Sequence, residues 1–318
     1  MNTYNNRFTS TNNFNVEGNI MSLIYGDSFK NKNTLSKSEH TFYNLFKDCN
    51  KLISAENLIL PATTLASNCY ASMFWGCTSL TTAPELLATS IGYRSYDYIF
   101  RDCTSLINPP KIYAETLGEE SCRGMFYNCT SLTTPPSILP ATTLTKSCYQ
   151  YMFSNCTSLT TTPELPATTL AQSCYSNMFN GCSALITVPE LPATTLETYC
   201  YQSMFYGCTS LTTAPELPAT TLVQSCYRYM FRNCTSLTTA PELPATTLAN
   251  ICYESMFNGC TSLNYIKCLA TDISATDCTK NWLVNVASSG TFVKDPNMSS
   301  WTTGANGIPS NWTVQDAT

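Results

Sequence analysis

The stretch CTSLTTAPELPATTLVQSCYRYMFRN, from Cys208 to Asn233, is one copy of a unit that recurs along most of the chain. Met, Leu or Ile followed by F-x-x-C puts a repeat cysteine at Cys49, Cys77, Cys103, Cys129, Cys156, Cys182, Cys208, Cys234 and Cys260, with successive differences of 28, 26, 26, 27, 26, 26, 26 and 26. A fixed period in the twenties marks a solenoid, whose coils bury their apolar faces only against their neighbours. The array runs from about Leu45 to Leu263.

Inside the unit, Leu222, Cys226, Met230 and Cys234 are spaced four apart, with Tyr227 and Phe231 one step on. That stripe predicts a short amphipathic helix on the outer edge, with Thr221 as its N-cap. The residue before each repeat cysteine is Asp48, Gly76, Asp102, Asn128, Asn155, Gly181, Gly207, Asn233 or Gly259. These three residue types best tolerate a left-handed backbone, so the column predicts where each helix stops. A Thr-Thr segment then leads to a proline column at Pro84, Pro110, Pro136, Pro163, Pro189, Pro215 and Pro241. Proline donates no ladder hydrogen bond, which limits each strand to about two to four residues.

Strands stack about 4.8 Å apart and helices about 8 to 10 Å, a mismatch of roughly 20 to 25° per coil. The expected fold is therefore an α/β solenoid, an arc of about nine coils with short parallel strands inside, short helices outside and non-repeat caps at both ends. Residues 1–44 read as the N-terminal cap, 45–263 as the solenoid of period 26 and 264–318 as a β-rich C-terminal cap. NFNVEGNIMSLIYGDSF in the first cap suggests a small strand pair and turn. Trp282, Trp301 and Trp312 in the last suggest apolar closure of the final coil, with carbohydrate binding as the alternative.

Of 318 residues only 12% are charged, and the net charge of -5 argues against nucleic acid and anionic membrane as partners. No apolar run approaches the ~20 residues that cross a bilayer, and the polar start, Met1 to Ser10, shows no export signal. Eighteen cysteines face a single histidine, His40. Mixed Cys/His zinc sites and histidine-dependent catalysis are thereby largely excluded. If the repeat segment is a helix, Cys226 and Cys234 lie about 12 Å apart, beyond the reach of about 7 Å for a disulfide. Buried free thiols repeated by a packing constraint are the expectation, with inter-coil disulfides and metal binding as alternatives. His40 is read as a solvent-exposed or capping residue, and Asn-Cys-Thr at Asn128, Asn155 and Asn233 as stop-column positions rather than glycan acceptors. Glu164, Glu190, Glu216 and Glu242 form a solvated row rather than an acid/base pair or calcium site. No catalytic residue, metal or cofactor is assigned.

The combination M-F-x-G/N-C-T-S-L-T-T-x-P-E-L-P-A-T-T-L resembles BspA-like leucine-rich repeat proteins of the Treponema type. The tail, with CLATDISATDCTKNW, SSGTFVK and SSWTTGANGIPSNWTV, is similar to the closing segment of such proteins in gut Bacteroidales and their phages. The resemblance implies a leucine-rich-repeat arc, a surface or virion-associated location, adhesion to proteins, cells or matrix, and no catalytic motif.

Identity between units relaxes at the pair before Met and at the residue after Phe. Tyr, Trp and Arg are enriched at interaction hot spots. Trp75, Tyr98, Arg101 and Tyr127, and again Tyr206, Tyr229 and Arg232, are accordingly candidate contact patches on the outer face, neutral variation of solvent-facing positions being the alternative. The opposite face carries Thr81 and Thr82 through Thr212, Thr213, Thr238 and Thr239, a candidate hydroxyl array. The leading reading is a non-enzymatic recognition or adhesion module for a protein or glycan on a cell surface, with no membrane insertion and an open oligomeric state. A structural or receptor-binding part of a phage virion is the alternative, and ice binding through the threonine rows a third that fits poorly.

Overall fold

The four-residue spacing of the unit folds as consecutive turns, not as a helix. In the computed structural model, which describes residues 7–37, 39–299 and 301–318, every fourth residue of the segment has positive φ. Asn68, Ser72 and Gly76 do so in one coil, and Ser225, Tyr229 and Asn233 in another. The N–H groups of Ala71, Met73, Trp75 and Cys77 donate to carbonyls three residues back, at 3.0 to 3.3 Å. Those of Tyr70, Ser72, Phe74 and Gly76 donate to Ser95, Asp97, Ile99 and Arg101 of the next coil, at 2.8 to 3.1 Å. Half the donors thus close turns, the other half join coils, and none is left over.

The expected outer-face helices, and Thr221 as a helix cap, are therefore corrected. Among the described residues the α-helical segment is Ser22–Tyr25, followed by a 3-10 turn at Gly26–Phe29, ahead of the first turn ribbon. The curvature changes with it. Phe rings hung from the ribbon repeat at 5.4 to 5.7 Å from Phe46 to Phe257. Against a strand spacing of about 4.8 Å, the mismatch is roughly 5° per coil.

The strand side is parallel and short, as the proline column requires. Thr34–Leu35, Thr64–Leu65, Ser90–Ile91 and Thr116–Leu117 form one sheet with Leu35, Leu65, Ile91 and Leu117 in register. Isolated parallel bridges such as Thr82↔Asn108 and Thr169↔Thr195 link other coils. Phe14–Asn15 and Gly18–Asn19 do not pair with each other as expected, but run parallel to Leu52–Ser54 and Leu58–Ile59. Tyr265–Cys268, Thr291–Lys294 and Thr313–Asp316 make a three-stranded parallel sheet that continues the stacking. These end segments bring the solenoid to about eleven coils, not nine.

Two aromatic columns fill the core. Beside the Phe column, Tyr149, Tyr175, Tyr201, Tyr227 and Tyr253 stack at 5.8 to 6.1 Å, and Trp282 extends them at 6.2 Å. Trp282 is fully buried and donates to the Gly307 carbonyl. Trp301 stacks on it at 5.6 Å, and Trp312 donates to the Ala287 carbonyl. These indoles are built into the end of the core.

All eighteen cysteines are buried, and none forms a disulfide. The 12 Å figure falls with the helix; instead each repeat thiol packs against the coil before it. Cys156, Cys182 and Cys208 donate to the carbonyls of Phe126, Phe153 and Phe179 at 3.1 to 3.2 Å. Burial pushes the Cys182 and Cys200 thiols up to about 12.

Close inter-coil approach makes Gly118 sensitive. A Cβ on Gly118 would lie 2.5 Å from the Gly92 carbonyl carbon and 2.6 Å from the Tyr93 nitrogen, both backbone atoms that cannot swing aside. Gly118→Ala is expected to cost about 2 to 3 kcal/mol through overpacking. Gly207→Ala, whose Cβ would meet nothing nearer than 3.8 Å, should lose only about 1 kcal/mol for its left-handed φ of 72°. Urea midpoints measured side by side should rank the two in that order, and equal midpoints would count against the close contact.

Candidate functional site: arginines caged by aromatic rings on the turn ribbon

The two outer patches are assembled by positions that recur once per coil. Lys47, Trp75, Arg101 and Tyr127 each follow the column phenylalanine. They alternate cation and ring along the axis. Lys47 Nζ lies 3.6 Å from the Trp75 ring centroid. The Arg101 guanidinium is 4.6 Å from Trp75, 5.0 Å from Tyr98 and 4.8 Å from Tyr127. Below them the Asp102 carboxylate accepts from Trp75 Nε1 at 3.0 Å, from Arg101 Nε at 3.3 Å and from Asn128 Nδ2 at 2.8 Å. All four expected residues of this patch meet in one half-buried cluster.

Tyr98 reaches it through its backbone. Its column holds Ser72, Gly124, Asn177, Ser203 and Ser255 in other coils, all at positive φ, yet Tyr98, Tyr151 and Tyr229 adopt φ of 54°, 59° and 59°. A bulky side chain in that region costs about 1 to 2 kcal/mol. Gly124 makes room for the ring, since a Cβ there would lie 2.1 Å from Tyr98 Cε1. Arg123 closes the flank, 5.3 Å from the Tyr98 centroid and paired with Asp97 at 2.9 Å and with Glu120.

The second patch repeats the plan. Arg232 lies 5.8 Å from the Tyr206 ring and 5.5 Å from Tyr229, while Arg228 stacks on Tyr229 at 4.5 Å and pairs with Glu254 at 2.7 Å. In both patches one arginine is neutralised by a carboxylate in the adjacent coil and a second is held by rings.

The threonine face is less regular than its sequence. Thr81 donates to the Ile53 carbonyl at 3.0 Å and Thr82 shares a hydrogen bond with Ser54 at 2.6 Å, so these hydroxyls serve coil stacking. Thr212, Thr213, Thr238 and Thr239 are exposed and line a shallow recess of about 310 Å³ with Glu216 and Glu242. Ile107 and Ile186 interrupt the row. Among the described residues no group of three or more His, Cys, Asp or Glu side chains could hold a metal ion, and no helix is long and apolar enough to cross a membrane.

Lys47 and Gly124 are not among the candidate contact residues. Gly124 belongs to the variable pair column, one coil after Tyr98, and Lys47 extends the column after Phe to one coil before Trp75, so alignment by column carries the signal.

The model of the BspA type leucine rich repeat region matches residues 89–203, 115–238 and 195–278, together more than half of the chain. The chain belongs to the BspA type leucine-rich repeat family. No curated protein matches this BspA type chain. Among solved structures it is similar to a chain in the crystal structure of a TLR13-ssRNA13 complex, with a TM-score of 0.34 and 11% identity over 85% of this chain and 40% of that one.

Proposed function

We propose that this leucine-rich repeat solenoid is a non-enzymatic recognition module that binds a protein or glycan partner on a cell surface through the outer turn ribbon, and that it acts at a cell or virion surface. The observation that carries the reading is the placement of Tyr98 and Tyr229, like Tyr151, at left-handed positions that most coils fill with Ser, Asn or Gly. The backbone strain offsets part of what these half-exposed rings contribute to folding through their cage contacts, and contact with a partner is the use that supports keeping them there. The rings are also pre-organised by their caged arginines, which lowers the ordering cost of binding.

The test is binding of the purified chain to host-cell surfaces and glycan arrays. Saturable binding is expected, and a Tyr98→Ser, Tyr229→Ser double variant should weaken it at least about tenfold while circular dichroism shows it still folded. Absence of saturable binding to any surface, or a variant that binds like the parent, would sink the proposal.

A further inference from the structure

Most cations on the ribbon are spent inside the molecule. Arg94 pairs with Glu120, Arg123 with Asp97 and Glu120, and Arg228 with Glu254. Arg101 and Arg232 differ. Arg101 hydrogen-bonds Asp102 through Nε, at 3.3 Å, and its two terminal nitrogens donate no hydrogen bond among the described residues. Arg232 has no ion pair among the described residues, and its Nε is buried without a hydrogen-bond partner. Both occupy the same column, in the matching strings YIFR at 98–101 and YMFR at 229–232. Five coils separate them, roughly 24 to 28 Å.

We infer that Arg101 and Arg232 are paired anchors for carboxylates on one acidic segment of a partner protein. The inference takes its biological setting from the recognition reading above. A guanidinium held flat between rings keeps a fork of donors that matches a carboxylate, and the cage has already removed most of its rotamer freedom. Lys47, 3.6 Å over Trp75 and without a carboxylate partner among the described residues, adds a further cation beside the first anchor. Sugar stacking is disfavoured here, because Trp75 carries Lys47 and Arg101 on its ring and Tyr98 carries Arg101 and Arg123. A chain with a net charge of -5 repels acidic partners at long range, so attraction is confined to these points and depends on salt.

The experiment uses the full chain, with poly-L-glutamate as the probe and heparin and inorganic phosphate as comparison arms. Saturable poly-L-glutamate binding that weakens with salt is expected. Arg101→Gln and Arg232→Gln should each reduce it about tenfold, and Lys146→Gln, a control for charge alone, by less than about twofold. Thermal melts verify that each variant is folded, and Arg101→Lys should recover only part of the loss because it restores charge without the fork. No saturable poly-L-glutamate binding, Gln variants that bind like the parent, or tighter binding of heparin or phosphate through the same arginines would each overturn the inference. Cell-surface binding lost on Tyr98→Ser with no poly-L-glutamate binding would reject the carboxylate anchors and keep the recognition reading. Carboxylate binding without any cell-surface binding would do the reverse.

Discussion

Raising the pH from about 8 to about 10 is expected to unfold the protein in one cooperative step. A thiol becomes charged when it loses its proton, and burial disfavours that charge. Unfolded thiols titrate near 9.0, whereas Cys148, Cys182, Cys200, Cys260 and Cys268, all fully buried, are pushed up to about 12. Because the folded value is the higher one, their stabilisation is complete below pH 9 and is lost as pH rises from 9 toward 12. Each thiol gives up about 1.4 kcal/mol per pH unit in that window. Five thiols therefore remove about 7 kcal/mol at pH 10, which equals the whole stability of many domains. The remaining buried thiols, and tyrosines such as Tyr175 and Tyr201, shift the same way for the same reason and sharpen the transition. Circular dichroism and tyrosinate absorbance followed over this range check it, and a fold intact past about pH 11 would contradict it. A thiol reagent added to denatured, unreduced protein should count close to eighteen free sulfhydryls.

Phe179→Ala should be the most damaging single truncation. Its ring is fully buried between Phe153 and Phe205, at centroid distances of 5.6 and 5.7 Å and nearly parallel to both. Removing it costs about 3 to 5 kcal/mol for the cavity and forfeits two stacking contacts of about 0.5 to 1.5 kcal/mol each. Coils touch only their neighbours, so the loss interrupts the column midway. Denaturant unfolding of the variant should shift to lower concentration and split into two transitions, one for each flank. An unchanged midpoint with a single transition would show that the ring column does not carry cooperativity.

The repeat, its parallel strands and the left-handed column before each cysteine were all legible in the sequence. Asp48, Asn128, Asn155 and Asn233 have the positive φ that their residue type suggests. The helix was not legible as an error, because apolar residues four apart satisfy both a helix and a four-residue turn repeat. The discriminating signal sits at Asn68, Ser72 and Gly76, where tolerant residues recur every fourth position rather than once at the end. A true helix would have no use for the first two. The patches were legible as columns of Tyr, Trp and Arg, but not the cage, because whether rings and cations meet depends on a coil spacing set by turns instead of helices. The terminal coils were missed because Phe14–Asn15 and Thr313–Asp316 pair by backbone and carry no copy of the motif.

The ribbon hydrogen bonds that join coils all run one way. Tyr70, Tyr96, Cys122, Tyr149, Tyr175, Tyr201 and Tyr227 each donate forward, to the coil that follows. Their peptide dipoles therefore add along the long axis, and the molecule is electrically polar, with partial positive charge toward the final coils and partial negative charge toward the first. The formal charges lean against that field. Residues 1–51 carry six Lys and Arg against four Asp and Glu, whereas residues 272–318 carry two against four. Two such molecules drifting together would favour antiparallel alignment over lying side by side in the same direction.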